Sequence, residues 1–455
     1  MKGLASVVCF VLLAVPAGGQ NPEPGAALSF ARPQGPTAPP AVITLQDALD
    51  RARRIDRDIL SATADAEIAG EDIIQAKAAR LPSLNHTSEY IGTQGNGATP
   101  NGRFVTSDGI HVYRSLATVH QEISPNTIFK TDYRRAEAAQ ALATAKVEIA
   151  RRGLDIVVTE NYYSLVAAQR RYASAQLGVQ QAQRFLEIAQ QQERAGEAAH
   201  SDAVKAELQL QRQRRGFQDA ALDIENTRLR LAVVLSPTLD ENFTVVDDLD
   251  SAKVLPPFAE LRTMAEKENP DLKAANAAVS QASFEVRSAR NALLPSLRIA
   301  ANYGIDANAF KLHSIQAAEP DAGPLPNLGY SLTFSLSVPI FDWGNTRSKV
   351  RQAQTRERKV NIELTQAQRQ LAGNLYAFYN EAVAARAAVD LARSSADLAT
   401  ESLRLINLRY QAGESTVLEV VDAQNTLIEA RRDYDQSQVR YRLAISALQS
   451  VTGGF

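Results

Sequence analysis

The stretch Ala79-Arg80-Leu81-Pro82-Ser83-Leu84 returns as Ala292-Leu293-Leu294-Pro295-Ser296-Leu297, 213 residues on from Pro82 to Pro295. Further out, Ala195-Gly196-Glu197 returns as Ala412-Gly413-Glu414, 217 residues on from Gly196 to Gly413. Both halves keep one order of elements: apolar helix, Pro, short strand, Gly-rich loop, strand, Pro, very long helix, Gly turn, return helix. A solenoid repeats every ~20–50 residues, so this period marks a duplicated half-molecule instead. The expected organisation is a first repeat over 42–236, an inter-repeat linker over 237–257 and a second repeat over 258–455.

The long helices carry a heptad seam. Val158, Leu165, Tyr172, Val179 and Leu186 are spaced by seven, with Ala168, Ala175, Ala182 and Ala189 beside them. Large residues on one line and Ala on the next allow close helix packing. The second half repeats the design with Leu364, Leu371, Phe378, Ala385, Ala392, Ala399 and Ile406. Between Phe129 and Glu193 there is no Pro, and only Gly153 and Gly178 interrupt. A helix of about 65 residues reaches roughly 98 Å, several times the usual length. Asn345 to Tyr410 predicts a matching rod.

Tyr330, Leu332, Phe334, Leu336 and Val338 alternate with Ser331, Thr333, Ser335 and Ser337. One face is apolar and the other hydroxyl, at the period of a strand. The run suits a tilted membrane strand of about 9–11 residues. Strands are expected at about 83–93, 111–123, 296–305 and 329–339, with Pro82, Pro125, Pro295 and Pro339 marking the helix–strand junctions. Phe341 and Trp343 follow the last strand, where an interfacial aromatic belt belongs. Tyr113 and Tyr330 suit the opposite rim. In soluble proteins one alternating strand usually covers a buried layer. Here two hairpins have no other apolar layer over them, and open sheet edges are not tolerated in lipid. Four strands cannot close a barrel alone, whereas several chains can close one together around a hydroxyl-lined lumen. The loops over 94–110 and 306–328 would then face outward.

The N-terminus reads as a cleaved signal peptide over 1–17, with Lys2, an apolar core and Val15-Pro16-Ala17 before the cut. Residues 18–41 hold six prolines and read as an extended tether. The only cysteine, Cys9, lies inside the signal, so the exported chain is expected to lack a thiol. With 49 basic and 51 acidic residues the net charge is −2, which leaves no nucleic-acid footprint. The five histidines are scattered without metal-ligand spacing, and GxSxG, Walker and HExxH motifs are missing. No enzyme and no cofactor is expected.

Two turn motifs remain. One is Arg194-Ala195-Gly196-Glu197 with Ser201-Asp202-Ala203. The other is Arg409-Tyr410-Gln411-Ala412-Gly413-Glu414 with Leu418-Glu419-Val420-Val421-Asp422-Ala423. With the duplicated helix–strand–strand–helix plan, the chain resembles the TolC family of outer-membrane efflux channels over nearly its whole length. The resemblance implies a mainly α fold with membrane β: a long coiled-coil α-helical barrel plus four strands per chain in a shared trimeric 12-stranded β-barrel. It implies a homotrimer in outer-membrane lipid, with a tunnel through the periplasm. It also implies a periplasmic adaptor and an inner-membrane pump as partners, in efflux or type I secretion. The rival reading is a non-transporting periplasmic coiled-coil scaffold or adhesion protein.

By the same resemblance, Glu419 and Asp422 would ring the periplasmic constriction. They are three apart, hence on one helix face, and six carboxylates per trimer would favour cations. Thr416-x-x-Glu419 is equally a helix capping box. Asp202 would pair with Tyr410 in a lock between the repeats, or be an ordinary first-turn acid. The family's basic partner of that lock is Ser415 here, and Arg409 is the substitute expected. Arg194, Gly196 and Gly413 would form the turns an adaptor grips, which is compatible with plain helix termination by Gly.

Overall fold

The computed structural model describes residues 40–92, 95–96, 99–102, 111–237, 242–251, 254–317 and 324–454. The signal-peptide expectation lies outside them, as does nearly all of the tether and part of the linker. The first repeat runs β1 (Ala41–Ile43), α1 (Leu45–Ile55), α2 (Arg57–Ala78), β2 (Ser83–Gly92), β3 (Gly95–Asn96), β4 (Thr99–Gly102), β5 (His111–Ile123), α3 (Pro125–Ile128), α4 (Thr131–Ala195) and α5 (His200–Leu235). After β6 (Phe243–Val245) the second repeat runs α6 (Phe258–Glu268), α7 (Pro270–Asn291), β7 (Ser296–Ala307), β8 (His313–Ala317), β9 (Pro324–Pro326), β10 (Leu328–Ser337), α8 (Asn345–Gln411) and α9 (Val417–Thr452).

The duplication extends to element lengths. The helices α1 and α6 each have 11 residues, α2 and α7 each 22, and α5 and α9 each 36. The rods α4 and α8 have 65 and 67 residues, about 100 Å at ~1.5 Å per residue. Each short-helix pair breaks at one polar residue, Asp56 or Asn269. Its extended backbone ends the first helix, and its side chain accepts from the third N–H of the next.

The rods pack on α2 and α7 at the sheet end, and on α5 and α9 at the other. The Ala-and-large seam is what they bury: Val158, Leu165 and Ala168 in α4, and Leu375, Ala382 and Ala385 in α8. Midway, β1 pairs in parallel with β6. This small sheet packs over Tyr162 and Tyr163 in one core cluster with α1 and the end of α5. The phenol of Tyr162 donates to the carbonyls of Ile43 and Val246, so a fully buried tyrosine is satisfied by the strands it supports. None of the described helices is long and apolar enough to cross a membrane.

The strands form an antiparallel sheet in the order β10-β7-β5-β2, so the repeats join at β5–β7 and β10 and β2 are left as edges. The junction prolines lie as the sequence places them: Pro82 and Pro295 precede β2 and β7, Pro125 opens α3, and Pro339 follows β10. Val338 falls one residue beyond the strand.

Candidate functional site

Register sorts every strand residue onto one of two faces. Tyr330, Leu332, Phe334 and Leu336 pair with Tyr303, Ala301, Ile299 and Leu297 of β7. Ala301 and Leu297 pair in turn with Val119 and Ile123 of β5, and Val119 with Leu84 of β2. An apolar face therefore crosses the whole sheet, its large residues exposed on the single chain: Tyr330 85%, Leu336 69%, Leu84 71%. His86, Ser88, Ser115 and Gln121 are its polar intrusions. Tyr90 and Tyr113, with ring centroids 5.1 Å apart, and Tyr303 opposite Tyr330, gather aromatics at one rim. Phe341 and Trp343, in edge contact at 4.9 Å, lie beyond the other end of β10.

The opposite face is mainly polar on all four strands, with Ile91, Val112 and Leu116 as its large apolar members. Thr118 Oγ1 donates to Asn302 Oδ1 at 2.8 Å, and Asn302 Nδ2 to Ser331 Oγ at 3.1 Å. Arg114 lies 3.1 Å from Asp306 and 3.7 Å from Glu89. Gly304 allows this face to close at β5–β7, because a Cβ there would sit 2.0 Å from the Ser115 carbonyl oxygen.

At the far end the two helix hairpins meet. Phe185, Ala189 and Ala206 of the first repeat pack with Tyr410, Val417 and Val420 of the second. Each rod ends in a left-handed glycine, Gly196 at φ 79° and Gly413 at φ 78°, a conformation that suits glycine. Arg194, Gly196 and Gly413 are all exposed. Arg409 donates through Nη2 to the Glu414 carbonyl at 3.1 Å, so it braces its own turn and makes no bond to Asp202. The first turn carries a pair absent from the expectations, His200 Nδ1 with Glu193 Oε1 at 2.6 Å.

Glu419 and Asp422 are exposed near the start of α9. Thr416 accepts the Glu419 N–H at 3.3 Å, but the Glu419 carboxylate takes the Ser415 hydroxyl at 2.5 Å rather than returning to Thr416. The capping box is thus half formed, and Ser415, at the position of the family's basic lock residue, holds Glu419. Asp202 and Tyr410 form no hydrogen bond with each other in the chain. Asp202 takes Lys205 at 3.3 Å, and the Tyr410 hydroxyl is buried with no hydrogen-bond partner among the described residues. Burial, and then the Asp202 charge, push the Tyr410 phenol above its ordinary pKa.

The linker, which the sequence left without a role, straps the repeats together. Arg170 of α4 binds Asp247 at 2.5 Å and Asp250 at 2.9 Å, and Asp435 and Gln438 of α9 at 3.3 and 2.7 Å. Arg442 of α9 donates to the Asp248 carbonyl and stacks over Tyr163. The partners of Arg170 lie 77 to 268 residues from it in sequence, so no local pattern announces the clasp.

A family model described as outer membrane efflux protein matches residues 48–236 and 261–454, one block per repeat. The chain is 23% identical over 418 residues to outer membrane protein TolC of Vibrio cholerae, covering 90% of each. It is 24% identical to alkaline protease secretion protein AprF of Pseudomonas aeruginosa, covering 78% of this chain and 72% of that one. Its fold is similar to the CmeC outer membrane channel of Campylobacter jejuni, with TM-score 0.73, 17% identity, and 90% and 85% of the two chains covered.

Proposed function

Because the chain belongs to the outer membrane efflux protein family, we propose that it is the outer-membrane exit duct of a tripartite efflux or type I secretion system. The observation that carries this is the sheet. One face is mainly apolar and the other mainly polar on four strands, and both edges, β10 and β2, are open. Open edges are not stable in lipid. Three copies joined β10 to β2 give twelve strands and no edge, the polar face inward. The helical rods then continue the lumen into the periplasm as a passive path, and energy comes from an inner-membrane pump through a periplasmic adaptor. The exposed turns with Arg194, Gly196 and Gly413 are the adaptor's contact. Glu419 and Asp422 project from the tip as two acidic rings, which favour cations. Asp202 and Tyr410 govern how the hairpins part. The relatives carry both efflux and secretion names, and cargo choice falls to the pump.

The test is single-channel conductance of the purified protein in a planar bilayer, beside a Glu419→Ala/Asp422→Ala variant. A small cation-selective current that loses selectivity in the variant is the expected result. A current indifferent to the change keeps the duct and reduces both acids to helix-start residues. A folded, inserted protein that passes no current returns the chain to the coiled-coil scaffold reading.

A further inference from the structure

About two turns above the tip, the hairpins meet through amides rather than through the Ala-and-large seam. Gln209 of α5 is 1% exposed and Gln424 of α9 is 6% exposed. Gln209 Nε2 donates to Asn425 Oδ1 at 3.1 Å and lies 3.5 Å from Gln424 Oε1. Gln209 Oε1 is buried with no hydrogen-bond partner among the described residues. A cavity of about 20 Å³ adjoins Gln424, with Gln181, Gln213 and Arg431 and with Leu177, Leu427 and Ile428 in its lining. The Gln209 and Gln424 positions flank the apolar heptad lines through Leu210 and Leu427, where a polar residue is usually solvated, yet both glutamines are buried.

We infer that Gln209, Gln424 and Asn425 form an amide latch that sets how readily the two helix hairpins part. It lies apart from Asp202 and Tyr410, and it rests on the exit-duct reading. The physical reason is an imbalance. A side-chain carbonyl buried without a donor opposes the packed state, and water satisfies it as soon as the hairpins separate. The bond to Asn425 meanwhile fixes the register in which they close. An apolar seam would hold the tip shut more firmly. A latch with one bond made and one carbonyl unpaired keeps closure marginal, which suits a tip that must open on demand. These three are positioning residues, which touch no cargo while the seam is closed.

The experiment uses the full-length protein in planar bilayers with two opposed variants. Gln209→Met/Gln424→Met replaces both buried amides by side chains of similar volume, while the half-exposed Asn425 turns to water. It is expected to lower open probability on the order of tenfold and to raise the unfolding temperature. Gln209→Glu sets a buried carboxylate against two acceptor oxygens and is expected to raise open probability by a similar factor. The tip acids are untouched, so ion selectivity should stay at the wild-type value in both. If the wild type conducts and both variants gate like it, the latch is wrong and the duct stands. If both variants shift gating in the same direction, a packing defect explains them and the latch is again wrong. A wild type that inserts but never conducts overturns the duct and the latch with it.

Discussion

The ring of Tyr410 packs on the ring of Phe185, centroids 5.1 Å apart, so a residue of the second repeat's rod is keyed into the first repeat's hairpin. Tyr410 is 5% and Phe185 4% exposed. Aromatic pairs of this kind contribute about 0.5–1.5 kcal/mol beyond their buried area. The contact is apolar, whereas the lock expected of this position was a hydrogen bond.

Tyr410→Phe keeps the ring and removes a buried hydroxyl that has no partner, so it should leave stability unchanged or raise it by up to about 1 kcal/mol. Tyr410→Ala should cost about 3–5 kcal/mol and let the hairpins part. The phenol's pKa is raised in the folded chain, so its contribution is complete below the ordinary value near 10 and is lost as pH rises through the folded value. An alkaline loss of stability that is smaller in Tyr410→Phe than in the wild type is the signature. Thermal melts of both proteins between pH 8 and 11 measure it, and identical profiles would deny Tyr410 the role.

Arg170 is the cation on which three acids and both repeats converge. Arg170→Leu leaves Asp435, whose side chain is 13% exposed, charged and unpaired, which should cost about 3–5 kcal/mol. The acids themselves differ in sign. Burial holds the Asp435 pKa above the usual carboxylate value, against the pull of Arg170. Its contribution is therefore present at low pH and lost as pH rises through the folded value. The Gln438 amide, then Arg170, holds Asp250 below the usual value, so its contribution is present above that value and lost as pH falls through the folded one. Asp435→Asn should thus be neutral or stabilising at pH 7.5. Asp250→Asn should be destabilising there by up to about 1 kcal/mol. Chemical denaturation at pH 7.5 and 4 separates them, and equal effects of the two variants would contradict the sign assigned to Asp435.

The contrast with the rods shows what the sequence carries. A heptad repeats locally, so Val158, Leu165 and Leu186 announced α4 and are buried in it. β10 was legible because its alternation is strict. β2 and β5 were faint, because His86, Ser88 and Gln121 break the apolar line that becomes continuous only once each strand lies beside its neighbour. The Gly turns were legible as helix stops. The Tyr410–Phe185 contact, the Arg170 clasp and the Gln209 latch were not, because each joins residues far apart in sequence.

Gly304 is where the repeats' strands approach most closely. A Cβ would lie 2.0 Å from Ser115 O and 3.0 Å from Leu116 Cα, both backbone atoms that cannot swing aside. Gly304→Ala should break the β5–β7 pairing at a cost of about 4 kcal/mol or more, and leave no heat-resistant trimer on a gel. Gly329, paired with Gly304 and with nothing within 4 Å of an added Cβ, is the control, and Gly329→Ala should leave the chain's own sheet intact. A Gly304→Ala protein that still forms the trimer would show that β5 and β7 are paired differently.

Trp343 is the chain's only tryptophan, and it is held at φ 56°, a left-handed conformation unusual for a bulky residue. Among the described residues the other non-glycine at positive φ is Lys130, at 54°, 213 residues earlier and also just before a long rod. Such a backbone costs about 1–3 kcal/mol and persists where the surroundings require it. Asp342 accepts the N–H groups of Gly344 and Thr346 and fixes the turn, leaving the Trp343 ring 91% exposed. In a duct inserted by its β-sheet both side chains would meet the membrane interface, where an indole and a lysine settle. All tryptophan emission comes from this one ring, so the prediction is direct. On moving from water-soluble detergent-free aggregates to lipid vesicles the emission should shift to the blue, and lipids brominated near the headgroup should quench it more than those brominated at mid-chain. Trp343→Gly should relieve the backbone by about 1 kcal/mol in detergent and yet lower the yield of inserted trimer. Emission that stays red in vesicles and is quenched only by aqueous iodide would place the ring in water, and the sheet's apolar face would then need another cover.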